Sequence, residues 1–158
     1  MVAQPYNSRW DLLVCDRKGQ LTLIVQVKSK IGTSIELVSS WRRNMLVHEI
    51  LPSIPYFLFA FPDKFYLWKN NSTKTFEHKE PDYTIDASSI LKPYLKGSSI
   101  KGDRIRESSL EIIVAAWLNN IAYSEANLEE LKQSHSWLID SGLYSSLQGG
   151  KVISGATA

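Results

Sequence analysis

The chain has 158 residues, 44% of them hydrophobic and 22% charged, with a formal net charge of +2. That composition describes one soluble globular domain with a proper core and excludes a disordered or fibrous chain. A lone cysteine, Cys15, excludes an internal disulfide framework and a cysteine-based zinc cluster.

The apolar runs PYFLFAF and IIVAAWL are too short to span a bilayer, and MVAQPYNSRWD lacks the apolar stretch of a signal peptide. The expected location is the cytoplasm, with no membrane partner. Charge is uneven: residues 1–106 hold 16 Lys/Arg against 10 Asp/Glu, whereas residues 107–158 hold 2 against 6. The N-terminal part suits an anionic partner, although charges scattered over a solvated surface give the same count.

In chain order, WDLLVCD (10–16) and LTLIVQVKSK (21–30) predict two strands joined through RKGQ, with Gly19 supplying a tight turn. Thr33 and Glu36 form a capping-box pattern, and Val38, Trp41, Met45 and His48 recur at helical spacing, which predicts a helix over about 34–50. PYFLFAF (55–61) and KFYLWK (64–69) predict two more strands around Pro62-Asp63, and residues 70–82 read as a loop. A short helix in DASSILKPYL is expected to break near Pro93, and a basic connector follows. Ser108 and Glu111 form a second capping-box pattern before the helical series Leu110, Ile113, Val114, Trp117, Leu118 and Ile121. Asn127 with Glu130 opens a short helix, SHSWLIDSGL another that Gly142 ends, and the tail adds a short strand. Strands first and helices late predict a mixed α/β layer within a single domain, residues 1–158.

Within this order LTLIVQVKSK is the strand whose polar residues need a reason. Gln26 and Lys28 share a face with Ile24, because side chains alternate along a strand. A hairpin symmetric about Lys18-Gly19 places Asp11 opposite Gln26 and on the same side of the sheet. A one-residue slip would send Asp11 to the other face. A carboxylate, an amide and an ammonium then converge. Carboxylate and amide oxygens suit Mg²⁺, and a neighbouring lysine can position a water and neutralise phosphoryl charge. A purely structural Asp11–Lys28 ion pair satisfies the lysine equally well.

Asp11, a hairpin and then Gln26-Val27-Lys28 resembles the catalytic signature of the PD-(D/E)XK nuclease superfamily, the restriction endonuclease-like fold. There an Asp begins one strand, a (D/E)-x-K triplet lies on the next, and a helix follows. The Gln form is similar to Mrr-like nuclease domains, and PYFLFAFPDKFYLWK is similar to a group of small uncharacterised bacterial proteins of this fold. The resemblance covers roughly residues 10–70, within a core of 1–70 followed by a loop and C-terminal helices over 71–158. It implies an α/β fold with a mixed central sheet of four or five strands flanked by helices. It also implies DNA phosphodiester hydrolysis dependent on Mg²⁺, with Mn²⁺ as substitute. Asp11, the Gln26 side-chain oxygen and the Val27 carbonyl would be ligands, and Lys28 would organise the attacking water. Two features differ from the family pattern. No acidic helix and no strand precede Asp11, and Gln26 is neutral where most members carry a carboxylate.

Lys30, Arg42 and Arg43 are the candidate phosphate contacts, against the plainer reading of solvated helix and loop charges. Trp41, Trp68, Trp117 and Trp137 fit core or interface positions better than a base-stacking platform. His48 reads as a core histidine, and His78 and His135 have no ligand-like neighbours in sequence. The rival expectation is a non-catalytic module that binds nucleic acid or protein. The bare outer edge left by the missing strand would make it a homodimer. A weaker third is an adaptor whose acidic half, 107–142, docks a basic partner.

Overall fold

A computed structural model describes residues 10–48, 54–69, 80–97, 104–123 and 128–154. The first hairpin pairs β1 (Leu12–Cys15) with β2 (Leu21–Val27), Leu12 facing Val25 and Leu13 facing Ile24, with a shift between Val14 and Cys15. Its turn is held by the Asp16 carboxylate, which accepts the amides of Lys18 at 2.9 Å and Gln20 at 3.0 Å. Gly19 takes φ of +82°, a value side chains disfavour.

Helix α1 (Ile35–His48) follows. The Leu37 amide donates to Ser34 Oγ at 3.2 Å, so Ser34 caps the helix rather than Thr33, whose carbonyl accepts the Tyr66 hydroxyl instead. Beyond it β3 (Tyr56–Ala60) runs parallel to β2 and antiparallel to β4 (Lys64–Lys69). The strand β5 (Tyr83–Asp86), absent from the sequence reading, pairs with β4. Most of the predicted loop before it, 70–79, lies outside the described residues.

Helix α2 (Ser88–Leu95) continues through Pro93. The proline removes only the bond to the Ser89 carbonyl, in the exposed first turn where water can accept. Four further helices are α3 (Glu107–Ala122), α4 (Leu128–Ser134), α5 (Ser136–Asp140) and α6 (Leu143–Leu147). The chain then returns as β6 (Lys151–Ser154), antiparallel to β1.

The result is a mixed six-stranded sheet in the order β5-β4-β3-β2-β1-β6. The outer edge of β1 is therefore covered by β6, which corrects the expectation of a bare edge. Being central, β2 is buried on both faces, and this is why it reads as a nearly continuous apolar run. Its odd residues Leu23, Val25 and Val27 pack with Leu110, Val114 and Leu118 of α3. Ile24 packs on the opposite face with Val38, Phe57, Phe59 and Trp68 beneath α1. Each such fully buried large side chain contributes about 1.5–3 kcal/mol. The Tyr56 hydroxyl donates to the Ser141 carbonyl at 2.7 Å and ties the C-terminal helices to the sheet. Among the described residues no helix is long and apolar enough to cross a membrane.

Candidate functional site

Asp11 directly precedes β1, at the end of the sheet where β2 finishes. The register of Leu12 with Val25, set beyond the shift between Val14 and Cys15, continues to it, and Asp11 meets Gln26. Its backbone N–H donates to Gln26 Oε1 at 2.8 Å. Its carboxylate Oδ2 accepts the Val27 amide, also at 2.8 Å. The Lys28 amide donates the other way, to the Ala60 carbonyl of β3 at 3.0 Å. Because a strand residue points its N–H and C=O to the same edge, the Val27 carbonyl is directed towards the Asp11 side.

Gln26 is 6% exposed. Its Nε2 lies 3.8 Å from the Met45 sulfur of α1, a weak acceptor. Lys28, one residue beyond β2, is half-buried and lowers the Asp11 pKa only as the smallest of several influences. Among the described residues its ammonium forms no ion pair with Asp11, so the structural ion-pair reading does not hold.

Two carboxylates that the sequence reading did not select approach Asp11 from α3. Burial pushes the Asp11 carboxyl up, the Val27 amide opposes this, and Glu107 pushes it further up. Burial likewise raises Glu111, with Asp11 and then Glu107 adding to the rise. The available signal was the i, i+4 spacing of Glu107 and Glu111 on one helix face. The sequence pattern instead pairs Glu111 with Ser108 as a capping box. The helix actually starts at Glu107, after an Arg106 that makes no side-chain cap bond.

No family model, curated protein or solved structure matches the chain. The site is therefore read from its own chemistry. Among the described residues no group of three or more His, Cys, Asp or Glu is arranged to hold a metal ion. The donor types nevertheless suit a hard cation: Asp11 has one oxygen beyond the Val27 bond, the Val27 carbonyl is directed to its side, and Asp11 and Glu107 add to the raised proton affinity of Glu111. Gln26 fits less well, because its oxygen already serves the Asp11 amide.

Of the candidate phosphate contacts, Lys30 and Arg43 are exposed. Arg42 is not a surface contact. It is 4% exposed, with its guanidinium 5.2 Å from the Trp68 ring and 5.9 Å from Phe57. Its position four residues after Val38 turns it inward. Burial lowers its pKa to about 10, and Asp82 opposes the shift. Among the tryptophans, Trp68 and Trp117 are buried while Trp41 and Trp137 are half-buried. The His48 side chain and His78 lie outside the described residues, and His135 sits before α5 with its pKa lowered by burial.

Proposed function

We propose that the chain is a divalent-metal-dependent nuclease of the restriction endonuclease-like type, acting on phosphodiester bonds of DNA. The observation that carries this reading is the meeting of Asp11 with Gln26 and the Val27 backbone at the sheet end, with Lys28 the next residue in the chain. Asp11 and the Val27 carbonyl would hold Mg²⁺ or Mn²⁺, with Glu107 or Glu111 adding charge. Such an ion, when bound, stabilises the charge that builds on phosphate oxygens.

The protein's own groups do the rest. The Val27 amide fixes the Asp11 carboxylate, and Gln26 fixes the backbone beneath it. As the water oxygen bonds to phosphorus and the bond to the sugar oxygen breaks, Lys28 Nζ would orient that water or donate to a non-bridging oxygen, the water's proton passing to solvent and a proton from solvent going to the leaving sugar oxygen. One feature supports the family reading beyond the motif: helix α3 places Glu107 and Glu111 within electrostatic reach of Asp11, an acidic contribution that the family draws from its first helix.

The second reading is a non-catalytic binding module, favoured by the full engagement of Gln26 in structural contacts. Its homodimer form loses the bare edge that motivated it. Incubation with single- and double-stranded DNA plus Mg²⁺ or Mn²⁺ tests the leading proposal. Cleavage by the native protein and its loss in Lys28→Ala are expected. Cleavage undiminished in Lys28→Ala would remove the assignment, and absence of Mg²⁺ or Mn²⁺ binding by calorimetry would favour the module.

A further inference from the structure

We propose that the cavity beside this site receives an unstacked nucleobase, which makes single-stranded nucleic acid the preferred substrate class. The proposal rests on the nuclease reading and deepens it. The cavity, about 280 Å³, is lined by Lys28, Lys30, Trp41, Asn44 and Met45. It adjoins the Asp11 constellation through Lys28 itself and through Met45, whose sulfur is 3.8 Å from Gln26 Nε2.

An aromatic cluster forms its floor. Phe59 and Phe61 stack at 5.1 Å with an interplanar angle of 18°, and Trp41 leans against both, 6.2 Å from Phe59 and 6.5 Å from Phe61. Phe59 and Phe61 are fully buried, whereas Trp41 is half-buried and lines the cavity. The indole is thus packed on the core on one side and reaches the surface on the other. Over its ring lies the ammonium of exposed Lys30, 5.6 Å from the indole centroid.

Arg42, one residue along α1, shows the contrast: its guanidinium is sealed over Phe57 and Trp68. A tryptophan anchored on one side and left under an exposed cation on the other is suited to stack a base, since every base offers a π-face. Lys28 and Lys30 can neutralise the flanking phosphates. Exposed Asn44 carries both a donor and an acceptor for a base edge. A base inside a duplex reaches such a cavity only by flipping out, whereas a single strand offers it freely.

The test measures fluorescence anisotropy of a labelled oligothymidine and of a blunt duplex of the same length, in EDTA, where hydrolysis does not contribute. The native protein is expected to prefer the single strand. Trp41→Ala should weaken oligothymidine binding about tenfold, the effect of losing one stacked base, and abolish the preference. Because Trp41 also packs on Phe61, Lys30→Gln and Asn44→Ala serve as variants at exposed positions. Lys30→Gln should weaken binding about fivefold and lower the salt dependence by about one phosphate. Binding to neither probe, equal binding to both, or oligothymidine binding that all three variants leave unchanged would overturn the proposal. Cleavage with Mg²⁺ is assayed separately. Cleavage that depends on Lys28 without a Trp41-dependent preference removes the base cavity alone, and preferential binding without cleavage removes the nuclease reading alone.

Discussion

Asp11 and Gln26 act as one strut, because the Asp11 N–H donates to Gln26 Oε1 at 2.8 Å while the Asp11 carboxylate accepts the next amide along β2, that of Val27. A carboxylate side chain here replaces a strand partner at the point where the backbone ladder ends. The polar residues in an otherwise apolar strand therefore have a structural use whether or not the site turns over a substrate.

Gln26→Ala should destabilise the protein by about 2–3 kcal/mol in urea unfolding, because it leaves the Asp11 amide without its acceptor and opens a cavity. Gln26→Glu keeps an acceptor at that point but adds charge near Asp11, Glu107 and Glu111. It should be less stable than native protein at neutral pH and recover more stability on addition of Mg²⁺. A Gln26→Glu variant whose melting temperature ignores Mg²⁺ would count against a cation at this place.

The opposition of Asp11 to Gln26 follows from a hairpin symmetric about Lys18-Gly19, but the turn itself pairs Cys15 with Leu21, and a shift between Val14 and Cys15 that the sequence does not reveal restores that register. The continuous apolar runs mark β2, β3 and β4 locally. Long-range features were not legible. Nothing near residues 151–154 says that this strand joins β1, and nothing in α3 says that Glu107 and Glu111 come within electrostatic reach of Asp11. Arg42 differs from its sequence expectation for another reason. Its spacing from Val38 placed it on the buried face, but its charge argued for solvent, and packing on Phe57 and Trp68 outweighed that preference.

The raised carboxyls predict the pH behaviour of the site. The folded protein holds protons on Asp11 and Glu111 more tightly than the unfolded chain does, so their ionisation weighs against folding at neutral pH. That penalty disappears as pH falls through the raised value towards the ordinary Asp value of 3.8. Asp11→Asn retains an oxygen for the Val27 amide and removes the charge. It should be the more stable protein at neutral pH, the gap should close in acid, and Mg²⁺ should no longer raise its melting temperature. Denaturant unfolding across the pH range checks this, and a neutral-pH loss of stability in Asp11→Asn would contradict it.

Arg42 separates burial from function. Among the described residues its Nε and Nη1 have no hydrogen-bond partner, and the residue is 4% exposed. Arg42→Met fills a similar volume without a desolvated charge and should be neutral or stabilising by about 1 kcal/mol, whereas Arg42→Ala leaves a cavity and should cost about 2–4 kcal/mol. Neither change should alter oligonucleotide affinity in protein that remains folded. A large affinity loss in a stable Arg42→Met would return this residue to the phosphate contacts.

The covered edge of β1 yields the last prediction. Strand β6 reaches β1 through Gly150, where an added Cβ would collide with the Cys15 carbonyl oxygen and lie 3.0 Å from that of Leu147. Both neighbours are backbone atoms that cannot swing aside, so Gly150→Ala should displace β6 at about 1–3 kcal/mol. Displacement uncovers the hydrogen-bonding edge of β1, and unpaired edges recruit other strands. The native protein should elute as a monomer in size-exclusion chromatography, and Gly150→Ala should form dimers or larger species with rising concentration. A native dimer would show that some other surface drives association, since β6 already occupies the β1 edge within one chain.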